Sequence, residues 1–179
     1  MSWASKEDLV NYTQEKANSS FATILGIVMI FGGIASLFTS LGLVFSLLIT
    51  AGGIYFVKSG NDINRDYNNY LAAAEASGEM QAIVNDFAGS KSMHYDSIRL
   101  GESYIFTRKR GRPVQYAELR KVYVNITKTN GIETSRSLIG VATDGKNHIL
   151  CDNLSKKDGD AEQIMAHIRY KNPHVQLGY

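Results

Sequence analysis

The densest chemistry in this sequence is cationic. Arg99, Arg108, Lys109, Arg110, Arg112, Arg120, Lys121 and Lys128 face only Glu102 and Glu118, so residues 99–128 carry net +6 in a chain whose total is +2. The tightest cluster, Thr107-Arg108-Lys109-Arg110-Gly111-Arg112-Pro113, reads as the tip of a hairpin. Guanidinium groups contact phosphate in a bidentate manner, and a basic loop held beside an anionic leaflet gains about 1 kcal/mol per cation. Arg108, Lys109, Arg110, Arg112, Arg120 and Lys121 are therefore the candidate lipid- or partner-binding residues. The competing reading is a solvated turn with ordinary surface charge. Nucleic acid is disfavoured by the near-neutral total and by the membrane tethering argued below.

Other reactive residue types are scattered. His94, His148, His167 and His174 lack the spacing of a metal-binding pair. No Gly-x-Ser-x-Gly elbow occurs, and no glycine-rich loop leads from a strand into a helix to cradle phosphate. Cys151, the single cysteine, lies in an alternating apolar stretch without a Cys-x-x-Cys partner, and reads as a structural thiol in a reducing compartment. These patterns predict no catalytic residue, no metal and no cofactor. The chain reads as a non-enzyme.

The elements that would hold the basic cluster begin with a long apolar run. Phe21–Val57 contains 37 residues without Asp, Glu, Lys, Arg or His. One straight helix of that length would reach roughly 55 Å, against a hydrocarbon core of about 30 Å. The expectation is a transmembrane helical hairpin, with spans of about 21–38 and 41–57 turning near Thr39-Ser40. Small residues at four-residue spacing, Gly32, Ser36 and Ser40 in one half and Gly42, Ser46 and Thr50 in the other, would let helices approach closely, and Gly32, Ser36, Gly42 and Ser46 could support a homo-oligomer. The Gly32-Gly33-Ile34 and Gly52-Gly53-Ile54 triplets echo each other but are too short for a repeat. Lys16, Lys58 and Arg65 flank the run, so the positive-inside rule puts both termini in the cytoplasm and the protein in the cell membrane. No ionisable group interrupts the run, which suits an anchor rather than a transporter.

Beyond the run, residues 58–90 read as a helical connector. Met80, Ile83, Val84 and Phe87 follow amphipathic helix spacing. From Met93 the period changes to two, and five or six short strands are separated by Gly101, Gly111-Arg112-Pro113, Asn130-Gly131 and Asp144-Gly145. Such a meander is expected to curl into a small antiparallel β-barrel or sandwich. A final helix follows, with Asp160 as its cap, Ala161, Ile164, Met165 and Ile168 on its buried face, and Pro173 ending it.

The series RLGESYIF, AELRKVYV, TKTNG, GVATDGKN and NPHVQLGY resembles uncharacterised bacterial membrane proteins that join a transmembrane hairpin to a pleckstrin-homology-like domain. The resemblance covers roughly residues 78–179, implies an α+β fold, and implies no catalytic residues. The expected organisation is a cytoplasmic segment 1–20, a hairpin 21–57, a connector 58–90 and a PH-like domain 91–179. The expected function is a membrane-anchored interaction or scaffold protein for an unknown protein partner. The alternative is a module that senses anionic lipid through residues 108–112.

Overall fold

The computed structural model describes residues 4–14, 16–37, 43–155 and 159–178. The chain divides into two compact units, Glu15–Ala73 and Met1–Gln14 with Ala74–Tyr179. Helix α1 (Lys6–Thr13) belongs to the larger unit, α2 (Lys16–Ser36) to the smaller, and α3 (Leu43–Ala76) runs from the smaller into the larger. Over residues 58–90, where a helical connector is expected, the chain forms the C-terminal part of α3, which runs on to Ala76, and then a separate helix at Met80–Gly89.

Among the described residues no helix is long and apolar enough to cross a membrane. This corrects the expected transmembrane hairpin, and with it the integral-membrane placement and the orientation derived from it. The charge-free run is shared between two helices, and each holds too little of it. In α2 the apolar part is Phe21–Ser36 and in α3 it is Leu43–Val57, 16 and 15 residues. A span needs about 20. Upstream, α2 starts in Lys16-Ala17-Asn18-Ser19-Ser20, and downstream α3 continues into Lys58 and a polar stretch.

The larger unit contains α4 (Met80–Gly89), then β1 (Lys91–Met93), β2 (Ile98–Leu100), β3 (Tyr104–Thr107), β4 (Val114–Gln115), β5 (Leu119–Thr129), β6 (Ile132–Ala142), β7 (Asn147–Cys151), α5 (Asp160–Lys171) and β8 (Gln176–Gly178). One sheet has the order β1-β2-β3-β4 and the other β7-β6-β5-β8. The expected barrel is not closed. A 3-10 turn at Tyr116–Glu118 separates β4 from β5, so the hydrogen bonding of the first sheet does not pass into the second. Nor is the second sheet wholly antiparallel: the C-terminal tail returns as β8, parallel to β5, with Val122 opposite Leu177. Asn172 positions that tail by donating 2.8 Å hydrogen bonds to the Tyr116 and Leu119 carbonyls.

One core joins both sheets to α5, with Ile98, Ile105, Val122, Leu138, Leu150, Ile164, Met165 and Ile168 buried within it. The β5–β6 hairpin turns at Asn130 and Gly131, both at positive φ, as a tight two-residue connection demands. The N-cap of α5 is Gly159 rather than Asp160. The Asp160 carboxylate is engaged elsewhere, 2.8 Å from His94 Nδ1. A second carboxylate, Asp86 on α4, accepts hydrogen bonds from the amides of Glu102, Ser103 and Tyr104. It fixes α4 to the turn between β2 and β3, beside a Gly101 whose bare α-carbon leaves room for it.

In the smaller unit α2 and α3 meet along a seam of small residues that includes Ser36, Ser46 and Thr50 of the expected stripe but uses Gly33 in place of Gly32. Ser36 and Ser46 are buried and their hydroxyls lie 2.6 Å apart. Gly33, not Gly32, makes the close approach: a β-carbon there would fall 2.2 Å from Thr50 Oγ1 and 2.9 Å from the Thr50 nitrogen. Gly26 and Gly53 face each other's carbonyls in the same way. Gly32 faces open space, and Ser40 and Gly42 lie outside the described residues. Gly26, Gly33, Ser36, Ser46 and Gly53 thus pack within the chain, while large side chains such as Phe31 and Leu48 remain exposed, 69% and 64%. Gly32→Ala should raise stability by about 0.5–1 kcal/mol through helix propensity alone. Gly33→Ala should lower it by about 1–3 kcal/mol through overpacking. Equilibrium unfolding of the two variants checks the register, since a seam through Gly32 would reverse the order.

Candidate functional site

The basic turn is built around the end of a helix. Helix α1 begins with a capping box: the Asp8 amide donates to Ser5 Oγ at 3.1 Å and the Ser5 amide donates to Asp8 Oδ2 at 2.8 Å. Its inner face buries Leu9 completely, with Tyr12 and Thr13 beside it. These residues pack against α4 and β3. The Tyr12 ring lies 5.3 Å from that of Phe87, which in turn meets Phe106 at 5.2 Å, edge to face. The Arg99 guanidinium stands 5.2 Å from both the Tyr12 and Phe87 rings, a cation–π arrangement over two faces. Outside, Lys6 pairs with Glu75.

The last four carbonyls of a helix have no partner within it. In α1 the Val10 carbonyl accepts from Gln14 N–H, and the other three are met by the turn between β3 and β4. Lys109 Nζ donates to the Asn11 carbonyl, the Lys109 amide to Tyr12 at 2.8 Å, and the Gly111 amide to Thr13 at 2.9 Å. Both amides point outward because Lys109 and Gly111 take positive φ, 56° and 98°. The cations of the turn also face the negative end of the helix dipole.

A second turn completes the groove. Between β1 and β2, His94, Tyr95 and Asp96 all take positive φ, 45°, 54° and 61°. Non-glycine residues pay about 1–3 kcal/mol each for sparsely populated backbone states, which survive where surroundings impose them. Here the Asp96 carbonyl accepts the Tyr12 hydroxyl at 2.9 Å. The Asp96 carboxylate accepts from Ser92 and from Arg99 Nε, each at 2.8 Å. Burial alone would raise the Asp96 pKa, but those hydrogen bonds and the Arg99 charge hold it below its usual value. Burial pushes the Tyr12 hydroxyl well above its ordinary range, with the Asp96 charge adding to it. Of the six non-glycine residues at positive φ among the described residues, four lie in the two turns that receive α1.

The sequence-derived site residues divide accordingly. Lys109 binds the helix end, Arg110 pairs with Asp152, and Arg112 pairs with Glu118 at 2.9 Å. Arg108 and Arg120 are exposed and form no salt bridge among the described residues, and the Lys121 ammonium lies 5.4 Å from the Tyr123 ring centre. The tip anticipated as a display of free charge is thus largely engaged. Sequence reading missed α1 itself, although Ser5-x-x-Asp8 followed by Leu9 and Tyr12 is the signal of a capped amphipathic turn.

No protein-family model, curated protein or solved structure matches the chain.

Among the described residues no group of three His, Cys, Asp or Glu side chains could hold a metal ion. Burial pushes the Cys151 thiol up to about 11, with Ser97 Oγ 3.2 Å away, so at neutral pH it is a protonated packing group. Two histidines have buried Nε2 atoms without a hydrogen-bond partner among the described residues, His148 and His167. Burial lowers both pKa values. At His148 the Arg112 charge adds to it, and at His167 the Lys171 charge does.

The sign of the pH effect follows. The folded state favours both imidazoles neutral, so their contribution is fully present above the unfolded value of about 6.5 and is lost as pH falls below it. Unfolding midpoints measured between pH 7.5 and 5 should decline, and the decline should be shallower in His148→Gln. An unchanged slope in that variant would remove His148 as a source.

Proposed function

We propose that this protein is a non-enzymatic interaction module whose working surface is the groove formed by α4, β3 and the two strained turns. Its ligand class is a short amphipathic helix, bound by its apolar face and by its C-terminal carbonyls. In the structure its own α1 occupies that groove. The observation that carries the reading is the capture of the Asn11, Tyr12 and Thr13 carbonyls by Lys109 and Gly111. Main-chain recognition of this kind depends on helix geometry more than on a particular sequence, and side-chain pockets for Leu9 and Tyr12 add selectivity. The resemblance to a PH-like domain belongs to the same proposal, supported by two four-stranded sheets with a helix near the C-terminus.

This reading is preferred to anionic-lipid sensing by residues 108–112, because Lys109, Arg110 and Arg112 already have partners. An isolated eight-residue helix is marginal in water, so α1 owes its order to the groove, and a competing helix of similar pattern can take its place.

A fluorescent peptide of residues 4–14 added to the full-length chain tests the proposal. Leu9→Ala/Tyr12→Ala should empty the groove and bind the peptide at least tenfold more tightly than the wild type does. Adding Gly111→Val should abolish the gain, because the new residue is strained at φ 98°. A double variant that keeps its sheet spectrum yet binds no peptide would refute the module. Vesicles containing phosphatidylserine that compete for the site would favour the lipid alternative.

A further inference from the structure

Leu9 and Tyr12 both fill the groove, but Tyr12 is met by more than packing. Its ring lies 5.3 Å from the Phe87 ring and 5.2 Å from the Arg99 guanidinium carbon. Those two contacts would hold a phenylalanine equally well. The hydroxyl is received separately, donating at 2.9 Å to the main-chain carbonyl of Asp96. That carbonyl does not sit there by default. It belongs to the last of three consecutive non-glycine residues at positive φ. The Asp96 side chain holds the turn in place by accepting from Ser92 Oγ and from Arg99 Nε, each at 2.8 Å. Arg99 therefore touches both halves of the contact: it packs on the Tyr12 ring and braces the residue that receives its hydroxyl.

We infer that the groove reads tyrosine through its hydroxyl, with the Asp96 carbonyl as the reader and Arg99 as the residue that positions it. The inference rests on the groove being a helix receptor and names the helix it takes: one ending in Leu-x-x-Tyr-x, with the tyrosine unmodified. A phenylalanine in that place leaves the Asp96 carbonyl without its donor. A site built to receive a hydroxyl rejects the analogue lacking it more strongly than an apolar pocket rejects a missing methylene. A phosphotyrosine fails for a second reason. Its ester oxygen has no proton to donate, and the surroundings oppose negative charge at that atom. Burial and the Asp96 carboxylate outweigh the Arg99 and Arg108 cations there, holding the Tyr12 hydroxyl protonated well above its ordinary range. A phosphate beside a carboxylate meets the same repulsion.

The test uses three forms of the residue 4–14 peptide, unmodified, Tyr12→Phe and phosphorylated on Tyr12, each titrated into the full-length Leu9→Ala/Tyr12→Ala chain. The Tyr12→Phe peptide should bind roughly tenfold more weakly than the unmodified one, and the phosphorylated one at least about a hundredfold more weakly. Adding Arg99→Met to the receptor should narrow the gap between the tyrosine and phenylalanine peptides to about twofold, whereas lost packing alone would weaken both equally. Tyr12→Phe in the otherwise unchanged chain keeps the ring in place and gives an independent reading. Its own α1 is held less tightly, so it should capture the unmodified peptide roughly tenfold more tightly than the wild type does. Equal affinity for the tyrosine and phenylalanine peptides, or tight binding of the phosphopeptide, overturns the hydroxyl reading and leaves the receptor standing. An unchanged gap with Arg99→Met removes Arg99 as the positioning residue. Binding of none of the three peptides defeats the receptor and this inference with it.

Discussion

Three main-chain carbonyls at the end of an eight-residue helix organise much of the larger unit. A helix end cannot be buried with its carbonyls unmet, and α1 is too short to stand without packing. Docking α1 therefore required a second element able to offer donors at matching positions. The turn between β3 and β4 supplies them through two left-handed residues and one lysine ammonium, and its shape follows from that task. The strained turn at His94–Asp96 answers the same need from the other side by accepting the Tyr12 hydroxyl.

The charge of the turn takes on a different meaning in this setting. Arg110 and Arg112 tie the loop to Asp152 and Glu118, which lie at the end of β7 and at the 3-10 turn before β5. The loop is thus braced against the second sheet while it reaches the helix. Partly exposed ion pairs contribute little energy singly, but here they restrict where the Lys109 and Gly111 amides can point. Arg99 adds a third brace, packed on two aromatic rings and bonded to Asp96.

Much of the larger unit was legible in the chain because its periodicities are local. The Met80, Ile83, Val84 and Phe87 stripe, the Asn130-Gly131 turn and the buried face of α5 all follow from neighbours along the sequence. The smaller unit was misjudged for a related reason. A stop near the middle of the charge-free run is expected from the sequence, but α2 ends at Ser36 and α3 begins at Leu43, so the two helices keep 16 and 15 of its residues, too few to span. Likewise Gly32 and Gly33 are equivalent in composition. Only the rotation of α2 against α3 made Gly33 the contact and left Gly32 open.

What the sequence determined by itself is the inventory: helices with an apolar stripe, strands of period two, and a dense basic turn at residues 108–112. It also carried, in Ser5 and Asp8, the start of a helix whose role it could not reveal. Tertiary structure decided that this helix ends at Thr13 although strong helix formers follow, and that the basic turn receives it. The reason is physical. Propensity sets the energy of a residue in its own segment, whereas the partner of a carbonyl 98 positions away, as between Asn11 and Lys109, exists only once the chain has folded.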